Sequence, residues 1–391
     1  MKAVVLRLAG IVAGLLLGLG VVEAGLRALE KNDRLTPADY EQDPTRLRAG
    51  APPRPLDVAA IGDSQTWGVN AWAAEAWPQA LGALSGKSVH NLGMSGHGPV
   101  EYAETWPRAL ALSPRAVVVA LYLGNDLWDA YHTVYATGRH PELRRPDAPR
   151  EIFTDTIGPA ADAFMKRVMD NRAEHDRISS HRVGDWLFRH TAIGRMVRMR
   201  NWKKAYTANT FAADASLVRR NPGMGAVYEH AGEPVILLPT YRAGATDPDE
   251  PRIREGVRIT REVLTRMRDE SRARGVRLVV LVIPTKENVY ADAMRGAGQV
   301  PDAPLQAVAE RERRLRGELL SFCGEAGVEC VDPLPALSGA VVRGEAIFPP
   351  YIDGHFNARG YAVLAEAVNG ALARQPAPAG APASPRPAPA P

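Results

Sequence analysis

Four short segments of this 391-residue chain carry residue types able to do covalent chemistry. The first reads Ala60-Ile61-Gly62-Asp63-Ser64-Gln65, an apolar run that stops at a glycine with a serine close behind. A serine hydroxyl is a weak nucleophile until a neighbouring base takes its proton. A suitable base stands far downstream, in Tyr351-Ile352-Asp353-Gly354-His355-Phe356-Asn357. His355 can accept that proton, and Asp353 can hold the imidazole in the tautomer that does so. The chain has nine histidines. His355 differs from the others in having a carboxylate two residues away and in lying after the last apolar run. The remaining segments are Asn91-Leu92-Gly93-Met94-Ser95-Gly96 and Leu123-Gly124-Asn125-Asp126. A backbone N–H freed by glycine, together with an asparagine amide, can hold an oxyanion. Taken singly, each segment has a plain structural reading: a turn glycine, or an asparagine capping a helix.

Order along the chain separates the two readings. Five apolar runs, Leu56–Ile61, Ser88–Leu92, Ala116–Leu123, Val276–Ile283 and Val328–Val331, are mostly rich in Val, Ile and Leu without alternation. Parallel strands buried on both faces look like this. Amphipathic stretches at Glu75–Leu84, Glu101–Leu112, Arg258–Arg274, Ala307–Ala326 and Ala358–Ala373 separate and follow them. Alternating strand and helix predict an α/β fold, a doubly wound, flavodoxin-like, five-stranded parallel sheet. Ligands of such sheets bind at the carboxyl ends of the strands. Ser64, Gly96 and Asn125 each follow the carboxyl end of a predicted strand, and His355 precedes the last helix.

In this order the four segments resemble the blocks of the SGNH (GDSL-type) hydrolase family, centred on Ser, Gly, Asn and His. The resemblance covers residues 56–126 and about 276–373. It implies Ser64 as nucleophile with His355 and Asp353 completing a triad. It also implies an oxyanion hole made by the backbone of Ser64 and Gly96 and the amide of Asn125. Gly96 is preferred to Gly93 because the family glycine usually follows the block's asparagine by five positions. Many members have Asp-x-x-His, whereas this chain has Asp353-Gly354-His355. That shorter form, with the strand exit Ile283-Pro284-Thr285-Lys286-Glu287-Asn288-Val289-Tyr290, looks like envelope members, including alginate O-acetyltransferase-like proteins. The implied activity is a serine-dependent ester hydrolase acting through an acyl-enzyme on O-acyl, chiefly O-acetyl, esters of envelope glycans or lipids. Two alternatives stay open: an O-acyltransferase modifying an exported polysaccharide with the same triad, and a non-catalytic glycan-binding module. The chemistry requires no cofactor.

Residues 1–29 read as a signal anchor or signal peptide, with Lys2 and Arg7 ahead of an apolar run from Leu8 to Val22. Positive-inside orientation puts the rest at the outer face of the inner membrane, anchored toward the periplasm or exported. Residues 30–54 read as a linker, 55–374 as the hydrolase domain and 375–391 as a Pro/Ala tail with no core to join. Strand–helix alternation breaks between about 130 and 255, which predicts a largely helical insertion over the ligand crevice. Its arginines and Trp186, Trp202 and Tyr206 suit substrate choice rather than chemistry. Net charge is +4, and no basic–aromatic stripe points to nucleic acid. Oligomeric state is not legible. Cys323 and Cys330 are not spaced as a zinc site, and could be bonded in an exported domain. Asp353 and His355 lack a third residue at metal-ligand spacing, so no metal is expected. G-x-S-x-G, P-loop, H-E-x-x-H and G-x-G-x-x-G motifs are absent.

Overall fold

The computed structural model describes residues 2–31, 55–148, 163–170, 191–193, 210–230 and 232–374. Residues 32–54 of the expected 30–54 linker, the expected tail 375–391 and the aromatics Trp186, Trp202 and Tyr206 lie outside the described residues, while residues 30 and 31 belong to the N-terminal helix.

Strand β1 (Val58–Ile61), β2 (Val89–Asn91) and β3 (Ala116–Tyr122) precede the insertion. Strands β6 (Arg277–Ile283) and β7 (Glu329–Val331) follow it. They form one parallel sheet in the order β2-β1-β3-β6-β7. This is the expected flavodoxin-like winding, with its reversal of strand order at β1 and β3. Alternate residues serve opposite faces. Val118, Ala120 and Tyr122 enter one apolar core, while Val117, Val119 and Leu121 enter the other. All seven positions of β3 are buried, and so the strand reads as an uninterrupted apolar run.

Helices α3 (Trp77–Ser85), α8 (Lys286–Gly296), α10 (Leu334–Val342) and α11 (Ala358–Ala373) bury Trp77, Val289, Leu337 and Leu364 in the first core. Helices α4 (Pro99–Ala111), α5 (Asp126–Tyr135) and α7 (Pro251–Arg274) bury Trp106, Leu127 and Val263 in the second. Helix α9 (Ala303–Ala326) serves both cores, through Leu305 and Leu319. It starts at the capping carboxylate of Asp302 and ends on Gly327 in the left-handed region. In its last turn, Cys323 is bonded to Cys330 of β7 with Cα atoms 6.0 Å apart.

The described residues of the insertion are mainly helical, at 163–170 and 210–220 among others. They also include an antiparallel hairpin of β4 (Ala226–His230) and β5 (Glu233–Leu237). Gly232, at φ 80°, permits the tight connection. The hairpin escapes a sequence reading because Pro234 sits inside β5, and a proline argues against a strand with partners on both sides. Among the described residues the strand has β4 as its one strand neighbour, and Pro234 faces Glu229. A short helix, α6 (Pro239–Ala243), leads on toward α7.

Candidate active site

The turn after β1 is built around a glycine for lack of room. A Cβ on Gly62 would sit 2.1 Å from Thr66 Oγ1 and 3.1 Å from the Ala120 carbonyl of β3. The chain can then enter α2 (Ser64–Trp67) at once, with the Asp63 carboxylate accepting the Gln65 N–H at 2.9 Å. Ser64 is thereby held at the first position of the helix, part-exposed at the carboxyl edge of the sheet.

His355 comes to it from the loop before α11. Its Nε2 is 2.8 Å from Ser64 Oγ, and its Nδ1 is 2.7 Å from Asp353 Oδ1. The same carboxylate oxygen accepts the His355 backbone N–H at 2.9 Å, so the short Asp-x-His spacing closes on itself. Asp63 lies 3.3 Å from Ser64 Oγ, a longer contact than that to the histidine. Gln65 joins the two segments: its Nε2 donates to the Gly354 carbonyl at 3.0 Å.

Charges follow from this geometry. Burial alone would raise the Asp353 carboxyl, but the His355 ring and its hydrogen bonds hold it well below the usual carboxylate range. Burial disfavours protonated His355, yet the adjacent Asp353 outweighs it and the imidazole is raised above its ordinary value. Asp63 is wholly buried and pushed up to about 6 by desolvation.

Strand pairing brings the other two segments alongside. Ala60 is opposite Asn91, and Met94 N–H donates to the Gly62 carbonyl at 2.9 Å. Gly93 N–H is occupied by Asn91 Oδ1 at 2.8 Å. Gly96 is at φ 78°, and among the described residues neither its N–H nor that of Ser64 has a partner. Asn125 begins α5 without a side-chain capping bond. Its Nδ2 instead donates to Asp129 Oδ2 at 2.5 Å, which leaves one amide hydrogen for another acceptor.

Sequence reasoning missed several of these supports. Asp129, one helical turn beyond Asn125, was signalled by its i+4 spacing in Asn-Asp-Leu-Trp-Asp. Lys286 lies in the strand exit that resembles envelope members. It is buried, and its ammonium donates to the carbonyls of Pro349, Tyr351 and Asp353 at 2.8, 2.9 and 3.3 Å, spanning the loop that carries the carboxylate. Burial lowers it to about 8. His97 is part-buried and lowered by desolvation, but no described contact ties it to Ser64.

A hydroxyl bonded to an imidazole bonded to a carboxylate, beside two unengaged N–H groups and a fixed amide, can form and break an acyl bond. The model of the GDSL-like lipase/acylhydrolase family matches residues 60–363. Among solved structures, a GDSL-like lipase from Bacteroides thetaiotaomicron aligns over 86% of this chain and 97% of its own at 11% identity, TM-score 0.36. A lipolytic protein of the G-D-S-L family from Veillonella parvula covers 82% and 100% at 10% identity, TM-score 0.37. A catalytic mutant of an acetylxylan esterase from Geobacillus stearothermophilus covers 82% and 95% at 11% identity, TM-score 0.36. No curated protein matches the sequence.

Proposed function

We propose that this chain, which belongs to the GDSL-like lipase/acylhydrolase family, cleaves O-acyl esters through an acyl-enzyme formed on Ser64. The observation that carries this reading is the run of hydrogen bonds from Asp353 through His355 to Ser64, at 2.7 and 2.8 Å. In the first step His355 Nε2 takes the Ser64 proton as Oγ attacks the ester carbonyl. The developing oxyanion is received by the N–H groups of Ser64 and Gly96 and by the free amide hydrogen of Asn125. The histidine then hands its proton to the leaving alcohol as the C–O bond breaks. Water, deprotonated by the same nitrogen, attacks the acyl carbon; the bond to Ser64 Oγ then breaks as Oγ takes the proton back from His355, and the acid leaves.

The substrates we infer are O-acetyl or other short O-acyl groups on envelope glycans or lipids. Two features favour a membrane-side setting. Helix α1 (Lys2–Lys31) contains a 19-residue stretch, Gly10–Ala28, with mean hydropathy 1.8 and none of it buried. Its length and composition suit a signal sequence or an anchor. The Asp-x-His spacing is that of the envelope members which the sequence resembles.

The test is labelling with a fluorophosphonate, which reacts only with an activated serine, followed by a panel of acyl esters with and without a glycan acceptor. Wild type should be labelled and Ser64→Ala should not. A folded wild-type chain that takes no label and hydrolyses no ester would falsify the reading. Turnover that needs the glycan acceptor would redirect it to acyl transfer.

A further inference from the structure

We propose that the insertion is a working part of the catalytic centre, and that Arg242 is a positioning residue tying the Asn125 loop to the His355 loop. The inference rests on the ester-hydrolase reading above and goes beyond it. An insertion over the crevice is expected to select substrates, yet here it holds the machinery.

Arg242 lies on α6, just after the hairpin. Its Nη1 donates to the Gly124 carbonyl at 3.2 Å, the peptide immediately before Asn125. On the other side the guanidinium reaches Gly354 through Nη2: a Cβ there would lie 2.5 Å from Nη2 and 3.0 Å from Tyr122 Oη. Gly354 is thus the residue that lets the arginine approach the backbone between Asp353 and His355. One planar group therefore touches both loops whose spacing sets the distance from imidazole to oxyanion hole. The side chain is itself fixed. Its carbon Cζ stands 5.8 Å and 5.3 Å from the rings of Tyr122 and Tyr241, and Nε is 3.6 Å from Glu287 Oε2. The other oxygen of Glu287 accepts the Leu238 N–H at 3.0 Å, clamping the end of the hairpin to the start of α8.

The same loop is gripped at two further points by the insertion. Ile236 N–H of β5 donates to the Pro350 carbonyl at 2.8 Å, and Ile352 N–H donates to the buried Asp214 carboxylate at 3.0 Å. Ile352 itself packs into a small core formed by insertion residues, including Phe164, Leu217 and Ile236. Apart from Ile352, this core belongs to the insertion. Removing the insertion would strip the Asp353 loop of hydrogen bonds and of apolar cover, and could not leave the centre intact.

Arg242 also acts through charge. The groups facing His355 are Asp353 on its own loop, Asp63 from the turn after β1, and Arg242. The two carboxylates favour the protonated ring and the guanidinium opposes it. Loss of the cation must therefore raise the imidazole, and looser packing would push the same way by easing burial, so a variant that keeps the charge is needed to separate the two.

The experiment compares wild type, Arg242→Met and Arg242→Lys in the full chain, using a small activated acetyl ester. Active sites are counted by fluorophosphonate labelling, so kcat refers to folded enzyme. For Arg242→Met, kcat should fall about 10- to 100-fold, as for a misplacement of reacting groups by a fraction of an ångström to one ångström. KM should change little, and the acid limb of kcat/KM against pH should move to higher pH. Arg242→Lys keeps the charge without the planar fork. Its acid limb should return toward wild type while kcat stays reduced. Wild-type kcat per labelled site with an unmoved acid limb in Arg242→Met overturns the proposal. Should that variant fail to fold, wild-type kcat in Arg242→Lys overturns it equally. A wild-type chain inert toward every ester fails earlier, at the reading on which the proposal rests.

Discussion

The hydrogen bond from Asn125 to Asp129 decides which way an amide points. An asparagine offers two hydrogens on one nitrogen and an acceptor on the other branch, and either branch can face a ligand. An acceptor one helical turn away fixes the nitrogen inward and spends one of its hydrogens. Removing the amide by Asn125→Ala should lower kcat by about 100- to 1,000-fold with KM little changed, because the bond strengthens in the transition state. Asp129→Leu should produce part of that loss without touching the oxyanion, and Asp129→Asn, which keeps an acceptor, should recover some of it. Steady-state kinetics of the three variants on one ester checks this; equal kcat in wild type and Asp129→Leu would remove Asp129 from the site. The carboxylate of Asp353 makes a prediction with a sign. It is the chief influence raising His355 against the burial that lowers it. In Asp353→Asn burial is left to dominate, so the acid limb of kcat/KM should shift to lower pH. The catalytic loss should approach about 10,000-fold, the scale seen when a triad carboxylate becomes an amide. A small loss with an unmoved limb would mean that the ring is oriented by other groups.

At the scale of elements, the bond between Cys323 and Cys330 joins the last turn of α9 to β7, the edge strand of the sheet. Edge strands have one paired neighbour, and among the described residues β7 pairs with β6 alone, over three residues. The bridge closes a loop of separation 7, for which chain entropy gives a stabilisation of about 2–3 kcal/mol. Replacing both cysteines with serine should cost about that much in denaturant unfolding and leave ester turnover unchanged, since the bond lies away from the Ser64 turn. A loss below about 0.5 kcal/mol would assign the stability of this edge to packing alone. These elements were largely legible beforehand. Strands buried on both faces must be apolar throughout, and β3 and β6 announce themselves in that way. Ser64, Gly96, Asn125 and His355 were legible because each sits at a fixed offset from such a strand or from the last helix. What was hidden depends on contacts between distant positions. Arg242 meets Gly124 across 118 residues and Asp214 meets Ile352 across 138. No local pattern marks either pair, and a proline inside β5 conceals the hairpin that delivers one of them.

For the whole molecule, the open matter is how much of the chain catalysis needs. Helix α1 exposes Ile11, Leu15, Leu16, Leu17, Leu19, Val21 and Val22, an apolar surface that no described part of the domain covers. Its 19-residue stretch is about 28 Å long at the helical rise, close to the ~30 Å of a bilayer's hydrocarbon core. The described contacts of α1 with the rest are polar and few. Glu23, bonded to Arg27 at 2.7 Å, accepts the N–H groups of Ala192 and Ile193 at 2.8 and 3.0 Å. Both donors can pass to water when the helix is removed. By contrast, the stretch from Asp214 to Arg242 is bonded into the catalytic loop and cannot be spared. Two truncations should therefore behave oppositely. A chain starting at residue 55 should be soluble, keep its thermal midpoint, and turn over a small acetyl ester within about two-fold of the full chain, since among the described residues α1 covers no part of the apolar cores. It should stop co-floating with phospholipid vesicles, as the full chain should do. A chain in which residues 140–250 are replaced by a short linker should retain the vesicle binding and lose the small-ester activity together with fluorophosphonate labelling. Full labelling of that second truncation would return the insertion to substrate choice alone, and an inactive but folded first truncation would make α1 part of the enzyme rather than its tether.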